Sequence, residues 1–174
     1  MNSSTKQYIN ELAQQVINVY DITIPINDLE NVVRSMGGEI EERAEFDDFC
    51  DGTIMKSNSD GFRIVIPRNQ YPQRKTFTIA HELGHLFLHM GFRTNRELWD
   101  SQDNRIYRRF GTSEQEYQAN EFAASLLMPK DRYKKIVSEY AVNDTVDMAR
   151  VANYFNVSIA AATNRGLFLG ILHE

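Results

Sequence analysis

Apolar residues recur every three or four positions along residues 6–20, where Tyr8, Ile9, Leu12, Val16, Val19 and Tyr20 make one stripe, the period of an amphipathic helix. A second helix is expected over 27–36, opened by Pro25-Ile26-Asn27 and carrying Leu29, Val32, Val33 and Met36. Gly37-Gly38 end it, because glycine tolerates the positive φ of a helix stop. The pattern then changes: residues 39–51 hold seven acidic residues and one Arg, the composition of a solvated strand and loop. Two short β-prone runs, 52–55 and 62–66, flank Asn58-Ser59-Asp60-Gly61, and the Asp-Gly pair favours a hairpin. Beyond Pro67 the apolar-rich residues 76–90 read as a buried helix stopped at Gly91. Residues 92–111 have no regular apolar period and predict a long connection. Thr112 or Ser113 caps a helix running to about Met128, Pro129 forces an exit, and Asp131 starts another. Apolar Val146, Ala149, Val151, Ala152 and Phe155, a turn at Asn156-Val157-Ser158 and an Ala-rich segment to about Leu169 complete a helix-turn-helix-like tail.

These elements predict an α+β fold, a mostly helical single domain over 1–174 with a small antiparallel sheet packed on the helix of 76–90. Residues 6–75 supply the N-terminal helices and sheet, 76–129 a helix pair, and 130–174 the helical tail. The 174 residues suit one core. A net charge of -5 argues against a broad phosphate-binding surface, so direct nucleic-acid binding is not expected. No apolar run approaches the roughly 18 residues that cross a bilayer, and the polar start, residues 1–6, lacks a signal peptide's apolar stretch. A single cysteine, Cys50, cannot close an internal disulfide, and the expected compartment is the cytoplasm. Asp47, Asp48 and Asp51 surround Cys50 and disfavour the thiolate a nucleophile needs, so it is read as structural.

The chemistry centres on HELGH at 81–85. On a helix His81 and His85 are rotated by only ~40° and separated by ~6 Å along the axis, so both can grip one ion. Glu82, next round the helix, can address a water on that ion without displacing it, the arrangement of a zinc peptidase. The competing reading is a buried helix with hydrogen-bonded histidines and Gly84 kept for packing. Gly84 costs roughly 1 kcal/mol of helix propensity against Ala, which a closely approaching strand or helix would justify. Zinc wants a third protein ligand and an open fourth position, with His89, Glu114, Glu116 and Glu121 as candidates. His89 is ~12 Å along the axis from His81, too far to share the ion, and is expected to support a ligand or to pack. Glu116 shares a helix face with Asn120, Ala123 and Leu127, so Glu116 is chosen as ligand and Asn120 as its supporting neighbour. Against this, Ser113 and Glu116 also form a capping box, though Thr112 with Gln115 offers another that releases Glu116.

RKTFTIAHELGHLFLH at 74–89, followed by EYQANEFAASLLMP at 116–129, resembles the ImmA/IrrE family of metallopeptidases. Residues 24–38 resemble the family's short glycine-ended helix and residues 151–172 its helical tail. The resemblance implies a zincin-like, gluzincin-type core with one Zn2+ per chain on His81, His85 and Glu116, and Glu82 as general base. It also implies cleavage of helix-turn-helix repressors, often encoded nearby on phages or mobile elements. No repressor-like DNA-binding segment precedes the first helix, so the expected partner is a separately encoded repressor. The run 62–66, with Phe62, Ile64 and Ile66, is expected to hold an extended substrate by strand addition. Tyr107, Tyr117 and Tyr133 remain alternatives for stabilising the oxyanion, and the acidic run and the basic cluster of Arg105, Arg108 and Arg109 are candidates for steering a partner. Two other functions stay open: a DNA-binding regulator using residues 146–165, with Thr163, Asn164 and Arg165 on its second helix, and a non-hydrolytic protein that binds a regulator and keeps zinc for structure.

Overall fold

A computed structural model describes residues 2–44, 52–58, 60–102, 106–107, 113–143 and 145–173. Cys50, the second half of the acidic run, Arg105, Arg108, Arg109, Thr112 and the side chain of Tyr107 lie outside the described residues. Asn2 opens α1 (Ser3–Val19) by accepting the Thr5 amide at 2.8 Å, and its stripe of Ile9, Leu12, Ala13, Val16 and Ile17 is buried. Asp28 caps α2 (Leu29–Ser35) at the Asn31 amide, and Gly37, at φ +89°, turns the chain into β1 (Gly38–Arg43).

The hairpin forms from β2 (Thr53–Lys56) and β3 (Phe62–Pro67), with Ile54 opposite Ile64. On the other side of β3 lies β1, parallel to it, and β4 (Ile106–Tyr107) pairs with β2. The order β1-β3-β2-β4 makes the sheet mixed where a purely antiparallel one was expected. An acidic segment can join it because Arg63 of β3 lies between two of its carboxylates, 3.1 Å from Glu39 and 3.5 Å from Glu41, a favourable cross-strand pairing of charge.

Pro72 takes the first helical position, where its missing N–H is not needed, so α3 (Pro72–Leu88) begins a turn earlier than the apolar pattern suggests. Gly91, at φ +78°, follows its end. The expected long connection is partly structured: Asn95 caps α4 (Arg96–Asp100) at the Leu98 amide. This helix sinks Trp99 against Phe92, ring centroids 5.0 Å apart, while Lys56 donates to the Trp99 carbonyl at 2.9 Å and lies over its ring. The chain continues through α5 (Ser113–Leu127) and α6 (Lys130–Glu139), which starts straight after Pro129. A short hairpin, β5 (Ala141–Val142) with β6 (Thr145–Val146), was not foreseen. Then α7 (Met148–Phe155) turns at Asn156, φ +53°, into α8 (Ile159–Phe168).

Helix α8 is fastened by Arg165, which is 2% exposed. Arg165 donates to Glu121 at 2.8 Å, to Asn10 at 2.9 Å and to the Met128 carbonyl at 3.1 Å. Asn10 and Ser125 donate to the same Glu121 oxygen. Such a buried pair holds because its charges are hydrogen-bonded all round, and removing one partner costs about 3–5 kcal/mol. Tyr133 is buried nearby, its hydroxyl donating to the Ala162 carbonyl at 2.5 Å.

Burial pushes the Tyr133 hydroxyl up to about 12, with Arg165 pulling the other way. In the unfolded chain it ionises near ~10, so the stability it contributes is complete below that pH and lost as pH rises through about 12. Urea midpoints compared near neutrality and above pH ~10 should fall steeply for the wild type, and less steeply for Tyr133→Phe. At neutral pH Tyr133→Phe should cost about 1 kcal/mol, because the Ala162 carbonyl loses its donor.

Candidate metal centre

Helices α3 and α5 meet at Gly84. A Cβ there would lie 2.9 Å from both the Cα and the carbonyl oxygen of Ala119, so only glycine lets the two backbones come this close. That contact answers the sequence's question about Gly84 with a second helix. It also puts the Glu116-to-Asn120 turn of α5 against the His81-to-His85 turn of α3.

The two histidine Nε2 atoms are 3.1 Å apart. Glu116 brings one carboxylate oxygen to 3.2 Å from His81 Nε2 and the other to 3.3 Å from His85 Nε2. The Glu116 carboxylate is thus turned to the histidines. His81 and His85 are buried and Glu116 is half-buried.

Hydrogen bonds on the far side of each ring determine what these atoms present. The Asn120 Oδ1 accepts from His81 Nδ1 at 2.8 Å, which leaves the lone pair on His81 Nε2. Gln118 Oε1 accepts from His89 Nε2 at 3.0 Å, so His89 Nδ1 accepts from His85 Nδ1 at 2.9 Å, and the His85 lone pair also falls on Nε2. Burial holds His89 below the ordinary histidine value, outweighing the Gln118 bond, and a neutral ring is what this relay requires. Two nitrogen lone pairs and a carboxylate facing one another repel unless a cation lies among them. The three side chains can hold a metal ion.

Glu82 is 1% exposed and packs under the sheet: a Cβ on Gly52 would sit 2.9 Å from its Oε1. Gly52 therefore provides the carboxylate's room, a requirement the sequence reading missed, as it missed Gln118. Neither has a signal in local pattern, since each is defined by a partner on another element. Asn120 and His89 stand beside His81 and His85 respectively. Of the other ligand candidates, Glu121 is engaged by Arg165 and Glu114 is exposed.

Several expectations need correction. Phe62, Ile64 and Ile66 are fully buried, and β3 is paired on both sides, so it has no free edge for a substrate. A strand rich in β-branched residues between two partners is a core strand. Among the described residues, strand addition is left to the outer sides of β1 and β4. Tyr133 lies in the core, bonded to Ala162, and is removed from the oxyanion candidates, whereas Tyr117 is exposed. Arg165 is occupied by Glu121 and is not presented for nucleic acid.

Paired histidines and a glutamate, contributed by adjacent helices and able to hold a metal, define a metallopeptidase-type centre. The chain belongs to the family described as the IrrE N-terminal-like domain, Peptidase_M78, whose model matches residues 49–166. No curated protein matches it significantly. Among solved structures it is similar to a Mycobacterium tuberculosis transcriptional regulator, with a TM-score of 0.62 and 14% identity over 91% of this chain. The match spans 46% of that protein's length, and at this identity the likeness is one of fold. No helix among the described residues is long and apolar enough to cross a membrane.

A branched side chain at Gly84 must push α5 off α3. Gly84→Val is expected to cost about 1–3 kcal/mol and to weaken metal binding at least roughly tenfold in chelator competition, with helix content by circular dichroism nearly unchanged. Asn120→Leu and His89→Leu, which leave the ligands in place, should each weaken metal ~10–100-fold. Wild-type affinity in Gly84→Val would contradict this account of the helix contact.

Proposed function

We propose that the chain is a zinc-dependent endopeptidase that cuts a separately encoded helix-turn-helix repressor at one or a few positions in the cytoplasm. The observation that supports the zinc reading is the convergence of His81 Nε2 and His85 Nε2, 3.1 Å apart, on the Glu116 carboxylate, one oxygen of which is 3.2 Å from His81 and the other 3.3 Å from His85. A tetrahedral ion with nitrogen and oxygen ligands at ~2.0–2.1 Å sets its ligand atoms about 3.3 Å apart. His81, His85 and Glu116 would hold it and leave a fourth position open.

When bound, the ion supplies Lewis acidity, which acidifies a water and polarises the scissile carbonyl. Glu82 takes a proton from the water as its oxygen bonds to the carbonyl carbon, then delivers that proton to the amide nitrogen as the C–N bond breaks. Asn120 and the His89–Gln118 relay keep His81 and His85 in the tautomers that ligate. The peptidase family supports the reaction class. The link to transcription rests on the ImmA/IrrE resemblance and on the fold likeness to a transcriptional regulator.

Purified wild type, Glu82→Gln and His81→Ala, each with zinc, are incubated with the cognate repressor and with casein, and fragments are mapped by mass spectrometry. Wild type should cut the repressor at one or a few bonds and casein poorly. Glu82→Gln should keep about one zinc per chain and cut neither, and His81→Ala should lose the metal. Full effect of Glu82→Gln on the repressor would favour the non-hydrolytic reading. Efficient casein digestion beside an intact repressor would mean a different substrate class.

A further inference from the structure

A cavity of about 950 Å³ opens between α1, α3, α5 and α8, in the upper part of the range occupied by small-molecule sites. The apolar part of its wall comes from Phe77, Ala124, Met128, Val157, Ala161 and Phe168, with Gln73, Asn120, Ser158 and Asn164 as polar lining, and the alanines leave the space that larger side chains would fill. The charged lining is of one dominant sign. Lys6, Arg74 and Arg165 line the cavity with Glu121 as the one carboxylate, in a chain whose net charge is -5.

Arg165 is neutralised by Glu121 at 2.8 Å and bonded to Asn10 and Met128, so the rim cations are Lys6 and Arg74. Lys6 is laid over the Phe168 ring, its Nζ 4.2 Å from the centroid, which keeps an ammonium beside the apolar wall. An apolar wall with cationic groups beside it fits a ligand with an apolar body and an anionic head.

We propose that this cavity is a binding site for a small amphipathic carboxylate, with its chain along Phe77, Met128, Ala161 and Phe168 and its head toward Lys6 and Arg74. The site is distinct from the metal centre but shares Asn120 with it, so an occupant touches the residue that orients His81. The inference stands whether or not the chain is a peptidase.

Isothermal titration calorimetry of the full chain with octanoate and octanol tests it. Octanoate should bind at one site, roughly tenfold or more tighter than octanol, the scale of one charge-assisted hydrogen bond. Reversing both rim charges, Lys6→Glu with Arg74→Glu, should weaken octanoate about tenfold and leave octanol nearly unchanged. Ala161→Trp, which fills the cavity, should abolish binding of both. If that variant does not fold, the rim charge reversals decide the matter alone. Equal affinities for the two probes, or no binding of either, would overturn the proposal. So would octanoate binding that is indifferent to both sets of substitutions, the result expected if the metal held it, or capture of an acidic peptide where octanoate does not bind.

Discussion

The approach of α3 to α5 at Gly84 and Ala119 is the constraint on which the centre depends. With a Cβ at Gly84 only 2.9 Å from the Ala119 backbone, the helices touch main chain to main chain, and relief by side-chain rotation is not available. Ala119 lies between Glu116 and Asn120, so this contact fixes where both reach His81. Glu116 meets its Nε2 at 3.2 Å and Asn120 its Nδ1 at 2.8 Å, and one helical turn thereby spans the two edges of one imidazole. The propensity lost by putting glycine inside α3 is offset by that geometry.

Around the contact, the fold stacks polar groups in an order that makes chemical sense. Gln118, His89 and His85 form a relay that ends in a lone pair aimed at Glu116. The sheet closes over Glu82 through Gly52, and the Arg165–Glu121 pair ties α8 and α1 to the back of α5. The helix that carries Glu116 is thus held from both sides, by α3 at Gly84 and by a buried ion pair. Precision in such a site comes from supporting contacts as much as from the ligands.

Much of this was legible in the sequence because it is local. HELGH on a helix, Glu116 and Asn120 one turn apart, and the Asp-Gly hairpin follow from helical and turn geometry alone. The long-range parts were not. Whether a strand is central or at an edge depends on its partners, and the acidic composition that marked β1 as a solvated strand carries no sign of its parallel pairing with β3, where Arg63 faces it. The same limit made β3 look like a substrate strand. Arg165, readable as a DNA contact on an alanine-rich helix, is buried because Glu121 lies across from it, a pairing 44 residues apart in the chain. Helix α4, only five residues long, has no apolar period, so its stretch read as a connection.

X-ray absorption spectroscopy on the zinc-loaded protein tests the central claim most directly, because it reads the ion's own neighbours. The account predicts a four-coordinate shell of nitrogen and oxygen at ~2.0–2.1 Å with the outer-shell signature of two imidazoles, and loss of a carboxylate oxygen in Glu116→Ala. Sulfur at ~2.3 Å, or an unchanged shell in Glu116→Ala, would contradict it.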